Sequence, residues 1–163
     1  MAGTQDILTR HLENVKIKIT QAMTDQGRNA SGKSVTSLQV SVNGDVGILY
    51  GSKSFLVMER GKKPGKVPYG FRDIIKQWII DKGISVAPKP TKSGKSKYSP
   101  QERALNSFAG AVAYKIMKEG TRLYRDNGYN DIYTSAVNEE LRELNKELLL
   151  TTAESIAEIN ESL

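Results

Sequence analysis

Gly27-Arg28-Asn29-Ala30-Ser31-Gly32-Lys33-Ser34 fills every fixed position of the phosphate-loop pattern G-x-x-x-x-G-K-[ST]. In that pattern a buried strand delivers a glycine-rich loop, and the loop opens a helix whose first N–H groups hold phosphates. The order along this chain is different. Gln21 to Gln26 end a helical stretch, and the loop leads toward a strand carrying Val35, Val40 and Val42. No later apolar strand ends in an aspartate placed to hold Mg²⁺. The expectation is no nucleotide site and no cofactor. An ATP affinity that disappears in Lys33→Ala would contradict it.

The remaining reactive side chains point the same way. Cysteine is absent, which excludes disulfides, thiolate metal sites and cysteine nucleophiles. The single histidine, His11, excludes multi-histidine metal centres. Its position near the polar side of the first helix reads as a solvated or interface side chain. Glu139, Glu140, Glu143 and Glu147 suggest paired catalytic acids only if spacing is ignored. Arg142 and Lys146 stand at helical distance from several of them, the pattern of a solvated, salt-linked face. Phe71 and Trp78 share an apolar stripe and read as core. No nucleophile–base pair is brought together, so neither a catalytic residue nor a metal ligand is expected.

Charge is distributed unevenly. The net charge is +6, but residues 52–103 carry 13 basic and 4 acidic side chains, and residues 104–163 carry 6 and 10. Opposed charged regions suit pairing between copies or with charged neighbours. Arg60, Lys62, Lys63 and Lys66, then Lys89, Lys92, Lys95 and Lys97, fall in loop sequence with Tyr69 and Tyr98 as the nearby aromatics. They are the candidate contacts for DNA phosphates or for a partner, in a mode that does not read bases.

These side chains need elements to carry them. Leu8, Leu12, Val15, Ile19 and Ala22/Met23 make one stripe of a helix over residues 4–26, with Thr4 as N-cap and Gly27 as its stop. Ile7 and Ile17 lie off that stripe and are candidate subunit contacts. Leu38 to Val42 alternates, Asn43-Gly44-Asp45 signals a turn, and Val46 to Tyr50 returns, which predicts a hairpin. Ser54 to Glu59 reads as one helical turn or an edge strand. A proline- and glycine-bearing loop follows, then a helix over Phe71–Lys82. Residues 85–98 read as a mobile basic loop. Ser99-Pro100-Gln101-Glu102 is a capping box with proline at the first helical position, opening a helix to about Lys118. A last helix begins near Asn130 or Asp131, with Leu141, Leu144 and Leu148 on its stripe. A helix of that length needs support, expected here from a neighbouring subunit, so these three leucines are also candidate subunit contacts. The predicted class is α+β, a small antiparallel twisted sheet packed by amphipathic helices, with a long C-terminal helix. The expected division is a domain over 1–128 and an acidic helical extension over 129–163.

Several of these segments, taken in order, resemble the tail-completion or neck proteins of tailed bacteriophages. A long amphipathic N-terminal helix comes first. Ser31-Gly32 with Ser37-Leu38 is similar to the family's T-G-x-L-x-x-S-I stretch, and Phe55 to Gly61 to its V-E-F-G-T element. A loop with Pro64 and Pro68 follows. Ile74 to Gly83 and Ala111 to Thr121 resemble the two later helices of longer members. The likeness spans about residues 4–125. Ser34 stands where leucine is usual, Gly61 has no threonine after it, the 85–98 loop looks inserted, and the acidic tail helix runs past the common end.

The resemblance implies a structural virion protein, a ring-forming head–tail connector subunit between the portal region and the tail. Its implied partners are copies of itself, other portal, connector and tail proteins, and the genome passing through the channel. It implies no enzymatic activity. Assembly is expected in the host bacterial cytoplasm. No apolar run approaches the length of a membrane span, and the first residues lack signal-peptide character. The alternative is a non-specific nucleic-acid-binding protein that uses the basic middle.

Overall fold

A computed structural model describes residues 3–90 and 97–161. The protein is α+β: mostly helical, with one antiparallel hairpin and a long C-terminal helix. It forms two compact units. The first comprises the chain through Glu59 and again from Asn130 onward; the second spans Arg60–Tyr129. This division differs from the boundary expected at residue 128. The second unit is an insertion, and the C-terminal helix belongs with the N-terminal one.

In the first unit, helix α1 (Thr4–Asp25) starts after Gly3, whose N–H donates to Asp6 Oδ2 at 3.3 Å. Thr4 is thus the first helical residue rather than the cap. A one-turn helix, α2 (Lys33–Thr36), follows the glycine loop and includes Val35, which the sequence pattern had assigned to a strand. Strands β1 (Gln39–Asn43) and β2 (Val46–Tyr50) pair with Val40 opposite Leu49 and Val42 opposite Gly47. These four positions face inward, and α1 packs across both strands. A Cβ at Gly47 would come within 2.7 Å of Leu12, so glycine permits the close approach of helix and hairpin.

Ser54–Arg60 is a helix, α3, which resolves the two readings of that segment. The core joins Val15, Ile19 and Met23 of α1 to Leu38, Phe55 and Ile132. The C-terminal helix, named α7 by its place in the chain, spans Thr134–Glu161 and rests on α1. Its first half is supported within the chain, where a neighbouring subunit had been expected. Ala136 and Val137 pack on the same core as Val15 and Ile19.

In the second unit, α4 (Phe71–Asp81) packs against α5 (Pro100–Glu119). The Ser99 capping box forms as expected: Glu102 N–H donates to Ser99 Oγ at 3.2 Å, and Ser99 N–H to Glu102 Oε2 at 2.9 Å. Ile75, Ile79 and Ala109 form the centre of this core, flanked by Phe71, Leu105 and Val112. Trp78 is not core. It is 43% exposed, and Ile74 beside it on the helix is exposed too. The apolar stripe of α4 is wider than the single helix that covers it.

A short helix, α6 (Arg122–Arg125), closes the unit. Lys62 N–H donates to Thr121 Oγ1, and Thr121 N–H donates to Lys62 O, each at 2.9 Å. Gly61, with φ 74°, sits at this seam, where an added Cβ would meet Tyr124 N at 2.6 Å. The sequence after Gly61 is thereby tied to the sequence after Gly120, and the insertion's ends are held together by its own hydrogen bonds.

Candidate functional site

Helices α1 and α7 run antiparallel and are clamped by an ionic cluster. His11 follows Leu8 by three residues and precedes Val15 by four, so it lies on the apolar stripe and is buried. Its Nδ1 is 2.8 Å from Glu140 Oε2, and its Nε2 is 2.9 Å from Glu147 Oε2. Lys18 Nζ is 2.8 Å from Glu140 and 3.0 Å from Glu139, and Arg10 pairs with Glu147. Asn14 donates to Glu140 at 3.5 Å. The expectation of a solvated His11 is therefore corrected. So is that of glutamates matched by Arg142 and Lys146, because Glu140 and Glu147 find their partners on α1.

Burial pushes the Glu140 carboxyl up, but hydrogen bonds from Lys18 and His11, with the Lys18 charge, outweigh it and hold the group below its ordinary range. The His11 hydrogen bond, then that of Arg10, lowers Glu147. Glu140, above all, raises Lys18. Both ring nitrogens of His11 thus lie against carboxylate oxygens of α7. Among the described residues, no group of three or more histidine or acidic side chains is arranged to hold a metal ion.

A second anchor lies where α3 ends. Glu59 is fully buried, and its Oε2 accepts from Tyr133 N–H at 2.8 Å and Thr134 N–H at 3.3 Å. The Thr134 hydroxyl donates to its other oxygen. A carboxylate at a helix N-terminus satisfies orphan donors and complements the helix dipole, so Glu59 caps α7 from a distant part of the chain. Asn130 N–H donates to Glu59 O, and Asn130 Nδ2 to Met58 O, each at 2.9 Å. The residues where the chain leaves and re-enters the first unit are thus held side by side.

Between α1, the hairpin, α3 and α7 runs an open groove of about 530 Å³. Its walls are largely apolar, with Leu12, Leu49, Phe55 and Val137 among them, and His11 and Glu140 lie at its border.

The candidate subunit contacts fall in different places. Ile7 is 1% exposed and belongs to the interior, so it offers no face to a neighbour. Ile17 is exposed. Leu141 and Leu144 line the groove, and Leu148 is half-buried. Of the basic candidates, Arg60, Lys63, Lys66, Lys89 and Lys97 are exposed, and Lys62 is half-buried with its Nζ on Lys63 O. Lys92 and Lys95 lie outside the described residues. Lys89 is tied down: its N–H donates to Pro100 O, its carbonyl accepts from the Arg103 guanidinium at 2.8 Å, and its Nζ reaches Ser107.

Sequence reasoning missed His11, Glu59, Glu140 and Arg103. For His11 a signal existed, because its spacing from Leu8 and Val15 is that of the stripe. For Glu59 there was none, since its donors are more than 70 residues away.

The described helices include none long and apolar enough to cross a membrane. The chain matches no protein-family model, no curated protein and no solved structure.

Proposed function

We propose that this protein is a structural subunit of a tailed-phage neck, a head–tail connector or tail-completion protein that forms a ring and leaves a channel for DNA. The observation that carries the reading is the segregation of charge between two compact units. The first holds 8 basic and 13 acidic side chains, net −5; the second holds 16 and 5, net +11. A subunit whose two parts differ in sign can meet its neighbour head to tail, and repeated head-to-tail contacts close into a ring when the rotation allows. The order of segments resembling neck proteins supports the same reading, which assigns the chain no catalytic step. It places the protein in the virion, with portal and tail proteins and the genome as partners. Electron microscopy of the protein mixed with the products of its neighbouring genes is the test. Rings seated on a portal or tail assembly are expected, and an isolated monomer under every such condition would end the proposal.

A second reading, non-specific nucleic-acid binding, is favoured by the exposure of Arg60, Lys63, Lys66, Lys89 and Lys97 in a unit with few acidic residues. It predicts that the free protein retards duplex DNA with an affinity that falls steeply with salt.

A further inference from the structure

We propose that the second unit contacts the phosphates of duplex DNA through one pinned cationic seam, where residues 60–66 run beside the end of α5 and the start of α6, with Lys63, Lys66, Lys118 and Arg122 as its charges. The inference rests on the genome being a partner, as in the neck reading, and names the part of the subunit that meets it.

Backbone hydrogen bonds make the seam. Gly65 N–H donates to Met117 O at 2.8 Å. Lys62 and Thr121, 59 residues apart in sequence, are joined in both directions at 2.9 Å. Residues 62–65 are thus laid along residues 117–121, with Lys63 between the two pins on one stretch and Lys118 between them on the other. The approach is close: a Cβ at Gly120 would meet Lys62 O at 2.6 Å and Pro64 Cδ at 3.1 Å. A loop rich in glycine and lysine is therefore held in place. Its backbone is ordered before any ligand arrives, which spares that cost on binding.

Charge and composition identify the partner. Residues 60–66 bring 4 basic side chains and residues 117–126 bring 3. The acids among them are Glu119 and Asp126, which pair with Arg125 and Arg122. The Arg122 side chain stays 87% exposed in its pair. Arg60, Lys63, Lys66 and Lys118 are exposed, and among the described residues none of them pairs with a carboxylate. Charges gathered this closely act as one field, because screening at physiological salt extends over about 8 Å. Residues 60–66 contain no leucine, isoleucine, valine or aromatic side chain. A protein interface needs an apolar centre and is depleted in lysine, so this composition favours a phosphate backbone over an acidic protein surface. Tyr124 packs against both Gly61 and Gly120 at the seam and is 43% exposed. Tyrosine, like lysine and arginine, donates to phosphate oxygens without reading bases.

The test uses the full chain and a labelled duplex of mixed sequence, followed by fluorescence anisotropy over a salt series, with circular dichroism as a folding control. Lys63→Ala with Lys118→Ala takes one charge from each stretch and leaves the backbone pins in place. It should reduce the slope of log K against log salt by about 2 and weaken binding about tenfold or more. Lys33→Ala with Lys53→Ala removes the same charge from exposed positions of the first unit and should leave both quantities unchanged. Equal losses in the two variants overturn the seam, because overall charge then governs binding. Seam-dependent binding of polyglutamate without binding of DNA also overturns it and assigns the seam to an acidic protein. A wild type that does not bind the duplex at low salt overturns it as well. None of these outcomes touches the ring, which microscopy with the neighbouring gene products decides separately.

Discussion

The two units of this chain use charge in opposite ways. In the first, opposite charges meet across its two long helices: Lys18 and Arg10 of α1 reach Glu139, Glu140 and Glu147 of α7, with His11 between them, and the most enclosed of these groups are held by more than one partner. In the second, cations outnumber anions 16 to 5, and ion pairs such as Arg122–Asp126 and Arg125–Glu119 lie at the surface. The difference shows that net charge says little about what charge does. In the net −5 unit Arg10 and Lys18 tie two helices together, whereas in the net +11 unit Arg60, Lys63, Lys66 and Lys97 are exposed.

That contrast can be broken most severely at Glu59. Glu59→Ala should cost about 3 kcal/mol by stranding the buried N–H groups at the start of α7. Thermal melting measures the loss. Hydrogen exchange should show it concentrated in α7 and α3, with α4 and α5 retaining their protection. The complementary lesion in the second unit is Gly61→Ala. A positive φ and the approach of Tyr124 N make about 2 kcal/mol the expected cost, with exchange now fastest around Lys62 and Thr121. Equal loosening of α1 and α7 in that variant would argue that the units do not behave separately.

A smaller effect is expected from acid. Glu140 and Glu147 titrate below their ordinary value in the folded protein, so their contribution is present above about 4.5 and is lost as pH falls through the folded values. Lys18, raised above 10.5, contributes below that value and is lost only in strong alkali. Glu140→Gln should therefore lower stability at neutral pH by about 1–2 kcal/mol and flatten the acid limb of a stability–pH curve. A variant whose acid limb matches wild type would remove the cluster from the account. The least effect on folding should come from Lys63→Ala with Lys66→Ala, within about 0.5 kcal/mol. The same pair should shallow the salt dependence of any DNA binding, measured by fluorescence anisotropy.

Much of the scaffold was legible in the residues. The stripe of α1, the turn at Asn43-Gly44-Asp45 and the capping box at Ser99 are local signals, and each element formed within a few residues of its expected ends. The start of α7 was displaced to Thr134 because its cap is supplied by Glu59, far back in the chain. Trp78 was misplaced because an apolar stripe says which side is greasy but not how much of it a neighbour will cover. Ile7 was misplaced for the converse reason: a position off the stripe can still be enclosed when elements meet the helix on more than one side.

What the sequence determined alone is what depends on neighbours a few residues apart: helix periodicity, strand alternation, turn and cap chemistry, and the absence of cysteine and multi-histidine chemistry. What the tertiary structure decided is every pairing across long separations. It put Glu140 and Glu147 on His11 instead of on Arg142 and Lys146, made residues 60–129 an insertion, and left Leu149 and Leu150 of α7 exposed. Hydrogen bonds and ion pairs are short-ranged, so a charge's partner is whichever group the fold brings within about 3 Å, and no spacing along the chain encodes that when the partner is more than 100 residues away.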